Sequence, residues 1–465
     1  MWQFYLVLLF CTAVIGWLAG KMWRQTNNYS ILIGVFALYY WSLSGAWFLV
    51  WDAFNDNSAQ NIGLHYYYIF EKMFVVHADS YYMQSILYYA LFIIVLQIAF
   101  LYTGTRHSLQ ITQPKTREKL NVNHNILVII SLAALIFSFI CIYPDVRYAI
   151  SNNKSFYYVV RHSINRWYTI HQLLNLIAAF SVLFGFTLLM IGDNNKYFKF
   201  VNVKRSLTAK YIISIILVLS YLLLLGNKHE LLFCGIFTAI VYISFSQKIN
   251  WIRYAALIAV IAIPLTLNDS VRRYPPAVLK YFLMGDTEHP EPSHGDMSIL
   301  SSVAFSNEMF FAHVSMYGCV AQHLPPTMGS SLINLVASAI PRVIYDKRPE
   351  DIYTYYVNSL KLPPGQGYTI HHATAWYLNF GIIGVICGAL FLGWLWKVSW
   401  KAYSAAENRN NMFLRIISLI AFASFVSFLP LLIRNGPEAY KALFVEGMLL
   451  PAGIIWLAVK PTADA

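Results

Sequence analysis

The feature that most constrains this chain is a series of eleven apolar runs, at 2–20, 31–51, 81–104, 126–143, 170–191, 211–226, 231–247, 254–267, 373–396, 412–433 and 443–459. A helix rises about 1.5 Å per residue, so about 20 residues cross the ~30 Å hydrocarbon layer of a bilayer. Most of the runs are near that length, and 254–267 is shorter. Lipid offers no hydrogen-bond partners, so each crossing must be a helix that satisfies its own backbone. The remaining composition agrees: 58% of residues are hydrophobic and 12% charged, where a soluble domain carries about 25% charged residues. The expected fold is an all-α polytopic membrane protein with about eleven transmembrane helices. The first run lacks a basic n-region and an evident small-residue cleavage site, and reads as a retained span. Four of the five cysteines (Cys11, Cys141, Cys234, Cys387) fall inside these runs and Cys319 in a further apolar segment, which implies neither a disulfide framework nor metal-ligand spacing.

Lysine and arginine set the orientation of such a chain. One alternating set of connections holds eighteen basic residues against four acidic ones, and the other holds fifteen against seventeen. Strict alternation of eleven spans reproduces this split, with the N-terminus outside and the C-terminus inside. Most of the net charge of +12 is therefore an orientation signal, and no nucleic-acid partner is needed to explain it. The linear organisation expected is spans one to eight over 1–267, a large external loop over 268–372, and spans nine to eleven over 373–465. Within the loop, 299–321 and 327–341 are apolar but short, and read as interfacial or re-entrant helices. No charged residue occupies the middle of a span; Arg415 and Glu446 lie near span ends, where snorkelling is cheap. Ion-coupled transporters usually place ionisable groups near the midplane, which makes that class the weaker reading.

Polar chemistry collects on the expected outer side. Cations recur there: Arg161 and Arg166 in a basic aromatic stretch, Lys228 in the turn Gly226-Asn227-Lys228-His229-Glu230, Arg272 and Arg273 after the eighth run, Arg342, Lys347 and Arg348 around Pro341 and Pro349, and Arg434 at the end of the tenth run. Guanidinium forks grip phosphate oxygens bidentately and lysine adds a point charge, so a lipid diphosphate suits the set. The alternative is local pairing, with Asp346, Glu350 and Glu438 close in sequence. A second constellation is Tyr368-Thr369-Ile370-His371-His372 at the mouth of the ninth run. An imidazole there suits a general base; a buried histidine satisfied by a carbonyl is the alternative. His313, near Glu308, is a further candidate of that kind. External tyrosine runs such as Tyr66-Tyr67-Tyr68 read chiefly as an interfacial belt, with sugar stacking as the alternative. Gly381, Gly384 and Gly388 read as sites of close helix packing.

Several of these segments resemble a known family. Gly226-Asn227-Lys228 is similar to the Gly-x-Arg/Lys turn of oligosaccharide repeat-unit polymerases of the O-antigen (Wzy-type) class. Ile340-Pro341-Arg342 followed by Lys347-Arg348-Pro349 resembles the Pro-Arg…Lys-Pro segment of their long external loop, and Tyr377…Phe380-Gly381-Ile382-Ile383-Gly384 resembles the segment after that loop. His372 with the downstream glycines is similar to the His-Asn…Gly…Gly pattern of the related O-antigen ligases, although Ala373 stands where they have Asn. The resemblance implies a membrane-embedded, inverting glycosyltransferase of the bacterial inner membrane with its active site outside. It would move a growing glycan from undecaprenyl diphosphate to the non-reducing end of the next undecaprenyl-diphosphate-linked repeat unit. It also implies diphosphate binding by Arg161, Arg166, Lys228, Arg272, Arg273, Lys347, Arg348 and Arg434, with Arg342 and His371 or His372 in the catalytic step. Neither metal nor cofactor is then required, since fixed cations take the metal's place, and a chain-length regulator protein is a possible partner. Transfer of glycan to lipid A core, or flipping of lipid-linked sugars, are the alternative functions.

Overall fold

The computed structural model describes residues 2–50, 76–102, 120–161, 167–192, 198–200, 205–245, 252, 309–337, 349–362, 368–407 and 412–461. The described residues are overwhelmingly helical, and eight helical segments are long and apolar enough to cross a membrane. The chain is a multi-pass membrane protein. The run at 254–267 lies outside the described residues. The chain divides into two compact units, each gathered from three separate segments.

The first unit comprises Met1–Ser108, Leu300–Lys401 and Phe428–Ala442. Helix α1 (Trp2–Thr26) shows why sequence and packing agree here. Phe4, Leu8, Cys11, Ile15, Leu18 and Met22 recur every three to four residues and are buried, while Leu6, Leu9, Phe10 and Trp17 on the other faces are exposed. Both faces are apolar because one meets protein and the other meets lipid. The second span is α2 (Ser30–Tyr39), a π-helical turn Tyr40–Ser44 and α3 (Gly45–Phe48) in continuous succession. Against α1 packs α4 (Ser80–Tyr102), whose buried Gln97 donates from Nε2 to the Ile15 carbonyl at 3.1 Å.

The second unit comprises Leu109–Ile299, Ala402–Ser427 and Leu443–Ala465. It contains β1 (Leu120–Val122), α5 (His124–Ser151), α6 (Phe156–Arg161), α7 (Tyr168–Ile191), β2 (Phe198–Phe200), α8 (Arg205–Leu225) and α9 (His229–Phe245). Helix α5 overruns its apolar run at 126–143, continuing through Pro144 to Ser151. Asn153, in the left-handed region at φ 47°, ends it. A second departure from the all-α expectation is a three-stranded sheet ordered β2-β1-β3, with β3 at Val459–Pro461. Leu120 pairs with Phe198 in parallel and with Pro461 in antiparallel register. Three-residue strands carry too little alternation to be read from sequence. The sheet has a topological consequence. It gathers the chain just before α5, just before α8 and at the end of the last helix, so these three helix ends lie on one side of the unit.

The first unit also holds α10 (Met309–Ala321), α11 (Ser330–Ala337), α12 (Ile352–Ser359) and most of α13 (His372–Glu407); α14 (Met412–Asn435) follows, its residues divided between the two units. The expected short helices are present as α10 and α11; residues 299–308 and 338–341 lie outside the described residues. Helix α13 corrects the reading of one unbroken span over 373–396. Phe380 (φ −143°, ψ 20°) and Gly381 (φ 62°, ψ −146°) leave helical geometry, so a short helix precedes a sharp break and a longer helix comes after it. The longer part continues past the run to carry Lys397, which is buried with its ammonium 4.6 Å from the Phe100 ring centre. After α14 come a 3₁₀ turn Gly436–Glu438, α15 (Ala439–Ala442), a π-helical segment Leu443–Leu449 and α16 (Leu450–Ala458). Ser424 Oγ donates to the Gly447 carbonyl, so the two runs at 412–433 and 443–459 fold back on each other as expected of separate crossings. Arg415, expected to snorkel from a span end, is instead 2% exposed and lies over the Phe245 ring at 5.8 Å. An aromatic face shelters the guanidinium there in place of water.

Candidate functional sites

Three histidines meet inside the first unit. His371, His372 and His313 are at most 1% exposed. Their tautomers are set by their partners. Ala373 N–H donates to His371 Nδ1 at 3.0 Å, so that nitrogen carries the lone pair and Nε2 the proton. His371 Nε2 then donates to Ser42 Oγ at 2.9 Å, and Ser42 Oγ donates in turn to the Leu38 carbonyl at 2.6 Å. His313 Nδ1 donates to the Ser42 carbonyl at 2.7 Å and its Nε2 accepts from Tyr82 Oη at 2.8 Å. His372 Nδ1 donates to the Leu432 carbonyl at 3.0 Å, while its Nε2 accepts from Trp376 Nε1 at 3.1 Å. Each ring is thus a neutral imidazole with both nitrogens engaged. Burial, followed by the neighbouring His372 and His313, holds His371 well below the ordinary imidazole range.

The local sequence explains this arrangement. His371 directly precedes α13, and its Nδ1 satisfies an amide of the first turn that no residue of the helix can reach. Ser42 lies on the π-helical turn of the second span, where the altered backbone pitch offers both a hydroxyl and a carbonyl to histidines. Tyr89 Oη ties the cluster to α10 through the Ala312 and His313 carbonyls at 2.9 and 2.8 Å. Ser315 Oγ accepts from His371 N–H at 3.1 Å. Of the two readings open for these histidines, the geometry matches the buried ring satisfied by backbone and hydroxyl partners. Arg434 lies at the same end of the unit. It is two residues from Leu432, and at the next turn Gly436 (φ 65°) packs so closely that an added Cβ would lie 3.0 Å from Ala375 Cβ. Alanine at position 371 is expected to destabilise the protein by about 1–2 kcal/mol, and asparagine to recover most of that because its carbonyl can cap the helix. Thermal melting of the two variants in one detergent measures the difference; equal melting points would remove the capping role.

The second unit builds a different arrangement around Lys228. Helix α8 ends in a Schellman motif: Gly226 takes φ 75°, Asn227 N–H reaches the Leu222 carbonyl at 3.0 Å and Gly226 N–H the Leu223 carbonyl at 3.2 Å. Glycine is used at Gly226 because the left-handed conformation carries a penalty for other residues. Two residues later Lys228 closes the turn and α9 starts at His229. Leu225, just before the turn, forms a buried cluster with Ile142 of α5 and Val160 of α6. Val160 immediately precedes Arg161, so this apolar contact brings the Arg161 segment and the Lys228 turn to one end of the unit. Asn227 Nδ2 donates to Glu230 Oε1 at 3.2 Å. His229 Nε2 lies 3.3 Å from Glu446 Oε2, on the π-helical segment Leu443–Leu449.

Among the residues expected from sequence to act, His313, His371, His372, Lys228 and Arg434 are described. Arg166, Arg272, Arg273, Arg342, Lys347 and Arg348 lie outside the described residues, as does the side chain of Arg161. The sequence reading missed Ser42, Tyr82 and Tyr89 as histidine partners and the pairing of His229 with Glu446. Nothing in the sequence spacing signals contacts over such separations. Compared with known proteins, the chain matches no family model, no curated protein and no solved structure.

Proposed function

We propose that the chain is a polymerase of lipid-linked oligosaccharide repeat units in a bacterial inner membrane. It transfers the growing glycan from undecaprenyl diphosphate to the non-reducing end of an incoming repeat unit. One observation carries this reading: the Ile142–Val160–Leu225 contact brings the backbone of the Arg161 segment to the turn that fixes Lys228. Two cation-bearing segments then meet at a helix end, the depth at which a lipid diphosphate presents its charge. In this reading Lys228 and Arg161 stabilise the charge that develops on the departing diphosphate. Arg166, Arg272 and Arg273 are further candidates of the same unit, and Arg342, Lys347, Arg348 and Arg434 are candidates that belong to the first unit.

The orientation is part of the proposal. Eleven spans with the N-terminus outside put the starts of α5 and α8 and the end of α16 on the inner side. The β2-β1-β3 sheet, which joins those three points, supports that arrangement. The same alternation puts the Lys228 turn outside, where nucleotide sugars are absent and a donor must bring its own diphosphate leaving group.

The test is elongation by purified protein in lipid nanodiscs, given a synthetic undecaprenyl-diphosphate repeat unit and no nucleotide. A ladder of products at multiples of one repeat unit is expected. Products never longer than the starting unit, under conditions where the protein stays folded, overturn the reading; transfer to lipid A core alone would instead mark a ligase.

A further inference from the structure

One cation of the first unit is buried without a counter-charge. Lys397, on the long part of α13, is 5% exposed, and its ammonium meets the Phe100 ring at 4.6 Å. The ring shelters one face of the charge, but an ammonium carries three N–H donors that seek oxygen acceptors. Among the described residues Lys397 has neither a hydrogen bond nor a carboxylate partner. An uncompensated buried charge is strongly destabilising, so the position calls for an anion.

The helix ends around it supply none. Gln97 of α4 reaches the Ile15 carbonyl of α1, and the Trp396 ring lies 5.5 Å from that of Phe100 on α4 and against Gly34 of α2, where a built Cβ would be 2.5 Å away. The ends of α1, α2, α4 and α13 are gathered by these contacts. Residues 15–34, 93–102 and 388–401 contain no aspartate or glutamate, yet they hold Lys21, Arg24, Lys397 and Lys401. Ser30 starts α2 one turn before Gly34 and on the same face; it is buried, and its Oγ has no hydrogen-bond partner. The buried indole N–H of Trp23, whose ring lies 5.8 Å from that of Tyr29, has none either. Donors collect at this end of the unit, and acceptors are missing.

We propose that this end of the first unit binds the phosphate of an anionic phospholipid, with Lys397 as the principal contact and Ser30 as a further donor. A phosphodiester carries the missing negative charge and accepts several donors at once. The apolar surface beside Lys397 selects a lipid over a soluble anion. Trp394, one turn earlier, and Val398 are both exposed and would lie along acyl chains. Lys401, exposed one turn further on, extends the positive charge toward the headgroup layer. Such a site stands whether or not the chain elongates glycans.

Native mass spectrometry and thermal melting of the purified full chain in detergent test it, with phosphatidylglycerol, phosphatidylcholine or inorganic phosphate added. Phosphatidylglycerol should be retained and should raise the melting temperature. Phosphatidylcholine, whose headgroup has no net charge, and inorganic phosphate should do so far less. Lys397→Met should weaken phosphatidylglycerol binding about 10-fold, the loss expected of one charge-assisted contact, and Lys397→Arg should keep most of it. Lys361→Gln, which removes an exposed cation elsewhere in the same unit, should bind as wild type does. A folded Lys397→Met that binds phosphatidylglycerol as tightly as wild type overturns the site. Should that variant not fold, wild-type protein decides alone: equal retention of phosphatidylglycerol and phosphatidylcholine overturns the site as well. An equal melting shift with inorganic phosphate overturns the lipid source.

Discussion

Replacing Lys228 with alanine should lower kcat/KM for elongation by about 100- to 1000-fold, the loss seen when one preorganised donor to a developing oxyanion is removed, or ~3–4 kcal/mol of transition-state stabilisation. The size comes from where the lysine is held. Its backbone lies in a short link between helices, after a glycine-based cap that pairs Gly226 and Asn227 with α8. The ammonium is therefore presented by a rigid turn, and little reorganisation precedes reaction. Because the cap is built from backbone bonds and Gly226, the variant should melt near wild type. Lys228→Arg keeps the charge on a longer side chain and should recover part of the rate without restoring it. Steady-state elongation with the synthetic lipid-linked unit, alongside a thermal melt, separates the outcomes. Wild-type kcat/KM in Lys228→Ala would remove this residue from the proposed diphosphate site.

How much of the architecture was legible in the sequence depends on the range of the interactions involved. Apolar runs of about 20 residues report directly on helices in lipid, because no other backbone arrangement satisfies itself there. The fold class was readable for that reason, and so was the turn at Gly226, where a helix-ending glycine is a local signal. Long-range pairings were not readable. Ser42 and His371 lie 329 positions apart, and His229 and Glu446 lie 217 apart. Each pairing also involves a π-helical segment, which sequence periodicity cannot reveal because the apolar run simply continues through it. The partners of the histidines were not readable either. An imidazole beside a span looks alike in sequence whether it faces water or caps a helix; its partners decide, and for His371 these are Ser42 and the Ala373 amide. Arg415, expected near a span end, and Lys397, just past the run at 373–396, show the same limit, since both are buried beside aromatic rings. The three-residue strands were beyond any period argument.

The break in α13 should be the most sensitive point of the first unit. At Gly381 the backbone takes φ 62° and ψ −146°, a combination that non-glycine residues reach only at a cost of about 1–3 kcal/mol. Three residues on, a Cβ built on Gly384 would lie 2.0 Å from the Trp376 carbonyl oxygen, and one built on Gly388 would lie 2.5 Å from the Trp376 ring. The short helix that starts at His372 therefore doubles back against the start of the long one, with two glycines as its contact surface. Gly381→Ala should lower stability by the stated cost, and Gly384→Val by about 3 kcal/mol or more, because the obstacle is backbone that cannot rotate away. Gly20, in helix α1 with nothing within 4 Å of a built Cβ, is the control. Gly20→Ala should be neutral or slightly stabilising, since alanine favours helix over glycine by about 1 kcal/mol. Melting of the three variants in one detergent measures the contrast, and equal values for all three would mean that α13 runs unbroken. The break matters beyond stability: it sets where His371 and His372 leave the helix axis to meet Ser42 and Leu432. Loss of Gly381 should therefore disturb the buried histidine cluster before it disturbs the Lys228 turn, whose cap shares no residue with it.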